Sequence, residues 1–364
     1  MNKTIFVNAT SATEGGILTI LNQFLKEIES LNNKEIKYYV FTSIDLVTNS
    51  RNINIISDIN GKKLLDRIVW DLFGMRKWAK KNNIYPDLII SLQNTGVIFN
   101  KVPQLVYLHQ ALPFALESKW SMLKQDEYKL WVYKNIYKRW IYLTVGKRSN
   151  IIVQTKYMKD LLVNNGYNEK NIIILHPNVS DINIKDIKEK KYKCKYLFYP
   201  SAEYKYKNHK IIISAVQLLA KRLTIKDDFK IIFTLDKTSN TYRNVNKYNL
   251  DKYFEFIGKV EYSQVLEYYK GCHGIIFPSY IESFGLPLEE GKIFGKKVLA
   301  SNCEFSRELL ENYSLASFAS YNNSEIWANE IQELLNDYEE KPINIKQIYG
   351  WNDIVQKIIN KKNM

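Results

Sequence analysis

Short apolar runs separated by helix-length segments recur along almost the whole chain, and no other feature limits its fold as much. In the first half they are Ile5–Asn8, Tyr38–Thr42, Leu88–Leu92, Leu105–His109, Ile151–Gln154 and Ile172–Leu175. The second half continues with Tyr196–Tyr199, Lys230–Thr234, Phe254–Ile257, Gly274–Pro278 and Lys297–Ala300. Runs of Ile, Val, Leu and Phe without a polar face read as strands covered on both sides, the situation of a parallel sheet. Parallel neighbours need long crossovers. The intervening segments supply them: Ile17-Leu18, Leu21, Leu25, Ile28 and Leu31 recur at helical spacing, as do Ile211, Ala215 and Leu218-Leu219. The class is α/β.

A chain of 364 residues is long enough for two such domains. The two series of strands part at Asp181–Lys193, a stretch rich in Lys and Asp without a core signal. The expected organisation is one Rossmann-like domain over 1–182, a second over 190–345, and a tail, 346–364, with a helix over Trp351–Ile359. Three scattered cysteines, Cys194, Cys272 and Cys303, lack metal-ligand spacing and suit the reducing cytosol. The first apolar run is too short for a secretory signal. No run approaches the ~18 residues of a spanning helix. The net charge of +14 is compatible with nucleic acid, anionic lipid or an acidic substrate. Because the excess is mostly lysine, as a biased genome composition also gives, the charge alone selects no partner.

Chemistry concentrates in one segment, Glu282-Ser283-Phe284-Gly285-Leu286-Pro287-Leu288-Glu289-Glu290, which lies between two of the strands. Gly285 permits a tight turn. Pro287 suits a helix start, where its missing N–H would be unpaired anyway. Such a start offers unpaired amides and a positive dipole end, a cradle for a diphosphate. Glu282 falls in the loop and Glu290 about two turns into the helix, where two carboxylates can grip sugar hydroxyls. A plain strand-turn-helix unit with dipole-complementing glutamates would use the same residues.

The full pattern is Glu, seven residues, Glu, with Phe-Gly-Leu-Pro inside and Gly-x-x-Val after. It resembles glycosyltransferase family 4, retaining enzymes of the GT-B fold that move a sugar from a nucleotide-sugar to an acceptor. The resemblance runs from Gly15 to Trp351. It implies two Rossmann-like domains facing a central cleft, nucleotide on the C-terminal one and acceptor on the N-terminal one. It also implies that the last helix packs back on the first domain, although Trp351 could equally be an ordinary core anchor. Glu290 would bind the ribose hydroxyls and Glu282 would orient the donor sugar. Ser283, Phe284, Gly285 and Leu286 would hold the diphosphate, together with Gly15 and Gly16 in the loop Ser11–Gly16. That loop is not a dinucleotide fingerprint, which argues against hydride transfer. His109, at a strand end where ligands collect, would sit near the anomeric carbon.

Lys207-Asn208 matches the family's Lys-Asn helix opening. A fixed cation there stabilises the charge that grows on the leaving nucleoside diphosphate. The preceding Gly-Arg of the family is missing: Ser201 replaces the Gly and Ala202 stands where the Arg is expected. Lys205 could substitute, as a point charge rather than a fork. Gly258, Lys259 and Val260, after Phe256-Ile257, resemble the segment whose backbone reads the nucleobase. His176, His209 and His273 have weaker claims, and His176 reads as structural. No cofactor is implied, and the lack of Asp-x-Asp fits a metal-independent site.

Lys119–Arg148 mixes aromatics with lysines, and Leu130, Tyr133, Tyr137 and Trp140-Ile141 are expected near one helical face. Such a helix fits an anionic membrane surface, or a core helix with a lysine-coated outside. The expectation is a cytoplasmic protein, peripheral to the inner face of the cell membrane if this helix binds there. It would act on a saccharide or lipid-linked acceptor in bacterial surface-polysaccharide assembly; nucleic acid is not an expected partner. Two alternatives stay open: a GT-B-fold nucleotide-sugar epimerase, and a non-enzymatic basic protein that binds membranes or polyanions.

Overall fold

The computed structural model describes residues 3–13, 15–31, 33–61, 64–99, 101–115, 120–146, 149–179, 182–222, 228–343 and 350–361. Its strands are β1 (Lys3–Asn8), β2 (Ile36–Phe41), β3 (Ile53–Ile56), β4 (Leu88–Ser91), β5 (Gln104–Tyr107), β6 (Asn150–Val153) and β7 (Ile172–Ile174) in one sheet. β8 (Lys195–Tyr199), β9 (Phe229–Phe233), β10 (Phe254–Phe256), β11 (Gly274–Phe277), β12 (Lys297–Ser301) and β13 (Ala316–Ala319) form the other. The orders are β3-β2-β1-β4-β5-β6-β7 and β10-β9-β8-β11-β12-β13, and each pairing is parallel. The chain divides into two compact units, Met1–Asn178 with Gln347–Met364, and Val179–Lys346.

Every apolar run named above is a strand, with ends shifted by a residue or two. β3 and β13 were not foreseen. Both are sheet edges and only partly buried, so neither needs the continuous apolar run that marks a central strand. In each sheet the order turns back once, between β1 and β4 and between β8 and β11. Open parallel sheets bind ligands at the carboxyl ends of the strands flanking such a point.

The helix Gly15–Leu31 buries Ile20, Leu21, Phe24, Leu25 and Ile28 in a core shared with β1 and β2. The helix Trp351–Lys361 adds Trp351, Ile354, Val355 and Ile358 to that core. Trp351 meets Phe24 edge to face at 5.2 Å and leans on Tyr107 at 5.3 Å. Burying an indole is worth roughly 4–6 kcal/mol on transfer grounds, so this contact secures the last helix to the first unit. The segment after residue 182 is tied to the second unit: Lys270 Nζ donates to the carbonyls of Ile184 and Ile187 at 2.9 and 2.6 Å.

The basic aromatic stretch forms the helices Tyr128–Val132 and Lys138–Val145, joined by a π-helical turn, Tyr133–Tyr137. Lys119, Lys147 and Arg148 lie outside the described residues. Leu130 and Ile141 are buried, but Tyr133 is exposed. The wider turn adds a residue to the rotation, so the single face expected from a regular 3.6-residue period does not form. Among the described residues no helix is long and apolar enough to cross a membrane.

Candidate functional site

In the second unit, side chains from two loops meet at the carboxyl ends of β8 and β11. After β8, Lys205–Lys207 make one 3-10 turn, which Asn208 ends in a left-handed conformation (φ 57°) before the helix His209–Arg222 begins. The turn is tied to the loop after β11, because Tyr206 O accepts from Tyr280 N at 3.0 Å and from Ser279 Oγ at 3.2 Å. The Tyr199 hydroxyl adds a second tie, donating to Lys207 O at 2.9 Å. The Lys207 ammonium then reaches Glu282 Oε1 at 2.5 Å, joining residues 75 apart in the sequence.

Gly285 takes φ 105° and caps the helix Leu286–Ile293, a conformation open to glycine and strained for other residues. Leu286 is the first helical residue and Pro287 the second. Glu290, four residues after Leu286, therefore lies little more than one turn into the helix rather than two. Its carboxylate is buried and accepts from the Tyr262 hydroxyl at 2.7 Å. Burial pushes its pKa up, against the lowering influence of Tyr262 and Tyr269. The Tyr269 hydroxyl lies beside it without meeting a partner in full hydrogen-bonding geometry. Glu289 is buried and paired with Lys292 at 2.7 Å, a structural role. Ser283 is half-buried and Phe284 buried.

Ser201, in the family's Gly position, binds His209 Nε2 through its hydroxyl at 2.9 Å. His209 is buried, and burial, helped by the Lys207 charge, holds its pKa down to about 3. It is a neutral packing partner. Ala202 and Lys205 are exposed. The Glu203 carboxylate accepts from the N–H groups of Asn240 and Thr241 at 3.1 and 2.6 Å, at the start of the helix Asn240–Lys247. Gly258 has φ 72° and follows β10; its N–H donates to Leu235 O at 3.1 Å. Lys259 is exposed and Val260 half-buried.

The first unit assembles a separate group at the carboxyl ends of β1, β4 and β5. Gly15 and Gly16 are the first residues of the helix Gly15–Leu31, both exposed. Gly15 takes φ +64°, and a Cβ at either would meet no protein atom within 4 Å. His109 follows β5 and is clasped by Asn94: its backbone N–H donates to Asn94 Oδ1 at 2.7 Å, and Asn94 Nδ2 lies 3.2 Å from His109 Nε2. Since Oδ1 is the acceptor, Nδ2 must be the donor to Nε2, which leaves the imidazole proton on Nδ1. Burial lowers the His109 pKa to about 4, so the ring is neutral at neutral pH. The ring stacks on Tyr107 at 5.7 Å.

Among the described residues no group of His, Cys, Asp and Glu side chains is arranged to hold a metal ion. The family model of glycosyl transferases group 1 matches residues 180–349. The matched segment nearly coincides with the second unit. No curated protein sequence matches the chain. Among solved structures, Anabaena Alr3699/HepE in complex with UDP-glucose is similar with a TM-score of 0.64 at 14% identity, over 92% of this chain and 89% of its own. A sucrose-phosphate synthase from Thermosynechococcus elongatus gives 0.63 at 15% identity, over 92% and 90%. The UDP-GlcNAc 2-epimerase of Methanocaldococcus jannaschii gives 0.55 at 13% identity, over 99% and 100%. The whole chain has the GT-B fold of these proteins.

Within the second unit the structure brings Lys207, Glu282, Ser283–Leu286 and Glu290 to the ends of neighbouring strands, with Tyr262 as a partner that sequence reasoning missed. In the other unit it missed Asn94 and Asp71. The available signal for Asn94 was the polar run Gln93-Asn94-Thr95, directly after an apolar strand and on the edge where ligands collect.

Proposed function

We propose that the chain transfers a sugar, with retention at the anomeric carbon, from a nucleoside-diphosphate sugar to a saccharide or lipid-linked acceptor. The Lys207–Glu282 pair carries this reading. Each is the other's partner in the structure, and each has a separate task once donor binds. Lys207 and the N-terminus of the helix Leu286–Ile293, with Ser283, Phe284, Gly285 and Leu286, neutralise the diphosphate. Lys205 supplements Lys207. Glu282 orients the sugar hydroxyls, Glu290 takes the ribose hydroxyls with Tyr262 holding its second contact, and Gly258-Lys259-Val260 read the base. The roles of Gly15 and Gly16 at the diphosphate and of His109 at the sugar are those the family resemblance implies. A neutral His109 serves as a hydrogen-bonding ligand rather than a cationic acid.

A covalent scheme needs a carboxylate nucleophile beside a second acid. Glu282, held by Lys207, is better suited to binding hydroxyls, so we infer a front-face reaction. The cation and the helix dipole together supply the positive charge that a metal-independent reaction requires. Exposed Leu123, Ile136 and Leu143 among lysines support docking of the 120–146 stretch on an anionic membrane surface. The family resemblance supports a role in bacterial surface-polysaccharide assembly.

Thermal-shift titration with UDP, GDP and dTDP tests the donor site. One of the three should raise the melting temperature in proportion to occupancy; no response to any would overturn the reading. An epimerase is the second reading, favoured by similarity to the M. jannaschii enzyme along nearly all of both chains. Incubation of a nucleotide-sugar without acceptor separates the two, since only an epimerase returns an isomerised donor.

A further inference from the structure

Asp71 is buried, belongs to the π-helical turn Trp70–Gly74, and takes part in none of the donor contacts above. Three side chains converge on it. Asn8 Nδ2 and Gln93 Nε2 each donate to Oδ1 at 2.9 Å, and Thr95 Oγ1 donates to Oδ2 at 2.8 Å. Neither amide can turn round. Asn8 Oδ1 already accepts from the Trp70 indole N–H at 3.1 Å. Gln93 Oε1 accepts from the Ser11 backbone N–H at 3.1 Å and the Thr10 hydroxyl at 2.9 Å. A flip of either would set donor against donor.

Gln93 and Thr95 flank Asn94. With both flanking side chains held by one carboxylate, the side chain between them leaves on the opposite side, toward His109. Asn94 does so at φ 65°, a left-handed conformation that Asn tolerates but that needs support from its surroundings. The same Gln93 oxygen anchors Ser11, at the start of the segment leading to Gly15-Gly16. Wide π turns commonly mark functional positions in helices.

We propose that Asp71 is the positioning residue of the first unit: it clamps Gln93 and Thr95 so that Asn94 aims His109 and Ser11 starts the glycine loop. Asp71 touches no substrate in this role. The inference rests on the reading of His109 and Gly15-Gly16 as donor ligands, but the clamp itself is measurable without donor.

The test follows two NMR signals in the full-length protein: the His109 Cε1–H, assigned with His109→Gln, and the Trp70 indole N–H, assigned with Trp70→Phe. Asp71→Asn keeps an oxygen for Asn8 and Gln93 while the Thr95 hydroxyl turns to accept, so both signals should stay near their wild-type positions. Asp71→Leu should move both. Leu25→Ala, in the same unit but away from the clamp, should move neither. Thr95→Val removes one arm without changing shape and should move the His109 signal by a smaller amount; it keeps the test decisive if Asp71→Leu does not fold. The clamp is refuted if Asp71→Leu and Thr95→Val leave His109 in place, or if Leu25→Ala shifts it as far as they do. Addition of UDP, GDP and dTDP to the wild type reports separately on the donor reading: no response sinks that reading and leaves the clamp result standing.

Discussion

The two units place polar side chains at corresponding points of their sheets and satisfy them in opposite ways. In the first, Asp71 is bound by neutral donors whose other ends are also engaged, from Trp70 through Asn8 and from Ser11 through Gln93. These groups are committed to the scaffold. In the second, Lys207 meets Glu282, and Glu290 meets Tyr262. Under the proposed function each of these pairs is exchanged for ligand contacts. A committed network has its main effect on stability, whereas an exchangeable pair has its main effect on binding and rate.

Lys207→Ala gives the largest expected effect that can break this contrast. Loss of a fixed charge that stabilises a leaving group costs on the order of 10²–10³ in turnover. Both side chains are mostly buried, so leaving Glu282 unpaired should also cost about 1–3 kcal/mol in urea unfolding, less than the loss expected at Asp71. A large loss of stability with turnover retained would show the pair to be structural.

Asp71→Leu is the mirror image. It strands up to three buried donors, each worth roughly 1–3 kcal/mol when unpaired and not additive; we expect a loss of roughly 3–5 kcal/mol in urea unfolding. The pH dependence sharpens the point. Burial pushes the Asp71 carboxyl up to about 7 from an ordinary 3.8, opposed by its three hydrogen bonds and by Arg67, and the Tyr137 hydroxyl also faces this group. Between about 4 and 7 the folded protein keeps a proton that the unfolded chain has released. This group's contribution to stability is therefore present at the acid end and lost as pH rises through 7. His109 opposes it, since its pKa is lowered to about 4 and its neutral form is disfavoured as pH falls. Subtracting the Asp71→Asn profile cancels the histidine: the wild type should lose ground to the variant between pH 4 and 7 and hold level above that.

The central strands were readable because burial on both faces demands unbroken apolar runs. The edges β3 and β13 were not, because half-covered strands escape that demand. Lys207, Glu282 and Glu290 could be found from local patterns, each lying within a few residues of its loop or helix start. Asp71 could not: its partners Asn8 and Gln93 are 63 and 22 residues away, and nothing in Trp70-Asp71-Leu72-Phe73-Gly74 distinguishes it from a helical surface aspartate. Only the π turn and the sheet order bring it inward.

Gly16→Ala tests whether the glycine loop belongs with the committed or the exchangeable groups. A Cβ at Gly16 meets no protein atom within 4 Å, and its φ is not positive. The protein alone therefore gives no reason for glycine, and alanine near a helix start should be neutral or stabilise by up to about 1 kcal/mol. Any weakening of nucleotide-sugar affinity in a thermal-shift titration then reports a ligand that approaches this backbone closely. Unchanged affinity would remove Gly16 from the donor site.

The smallest expected effect concerns the departure from the family pattern after β8. Ala202 stands where the family resemblance implies an arginine, and the next residue, Glu203, brings a negative charge into the loop proposed to bind phosphate. Its carboxylate, however, accepts the N–H groups of Asn240 and Thr241 and the Thr241 hydroxyl. The charge is therefore spent on the positive end of the helix Asn240–Lys247. Glu203→Ala should cost about 1 kcal/mol in urea unfolding, the ordinary worth of a lost cap, and leave nucleotide affinity unchanged or slightly stronger. If affinity fell instead, Glu203 would be holding the Lys205–Lys207 turn in its binding geometry, and this loop would join the committed scaffold rather than the exchangeable half.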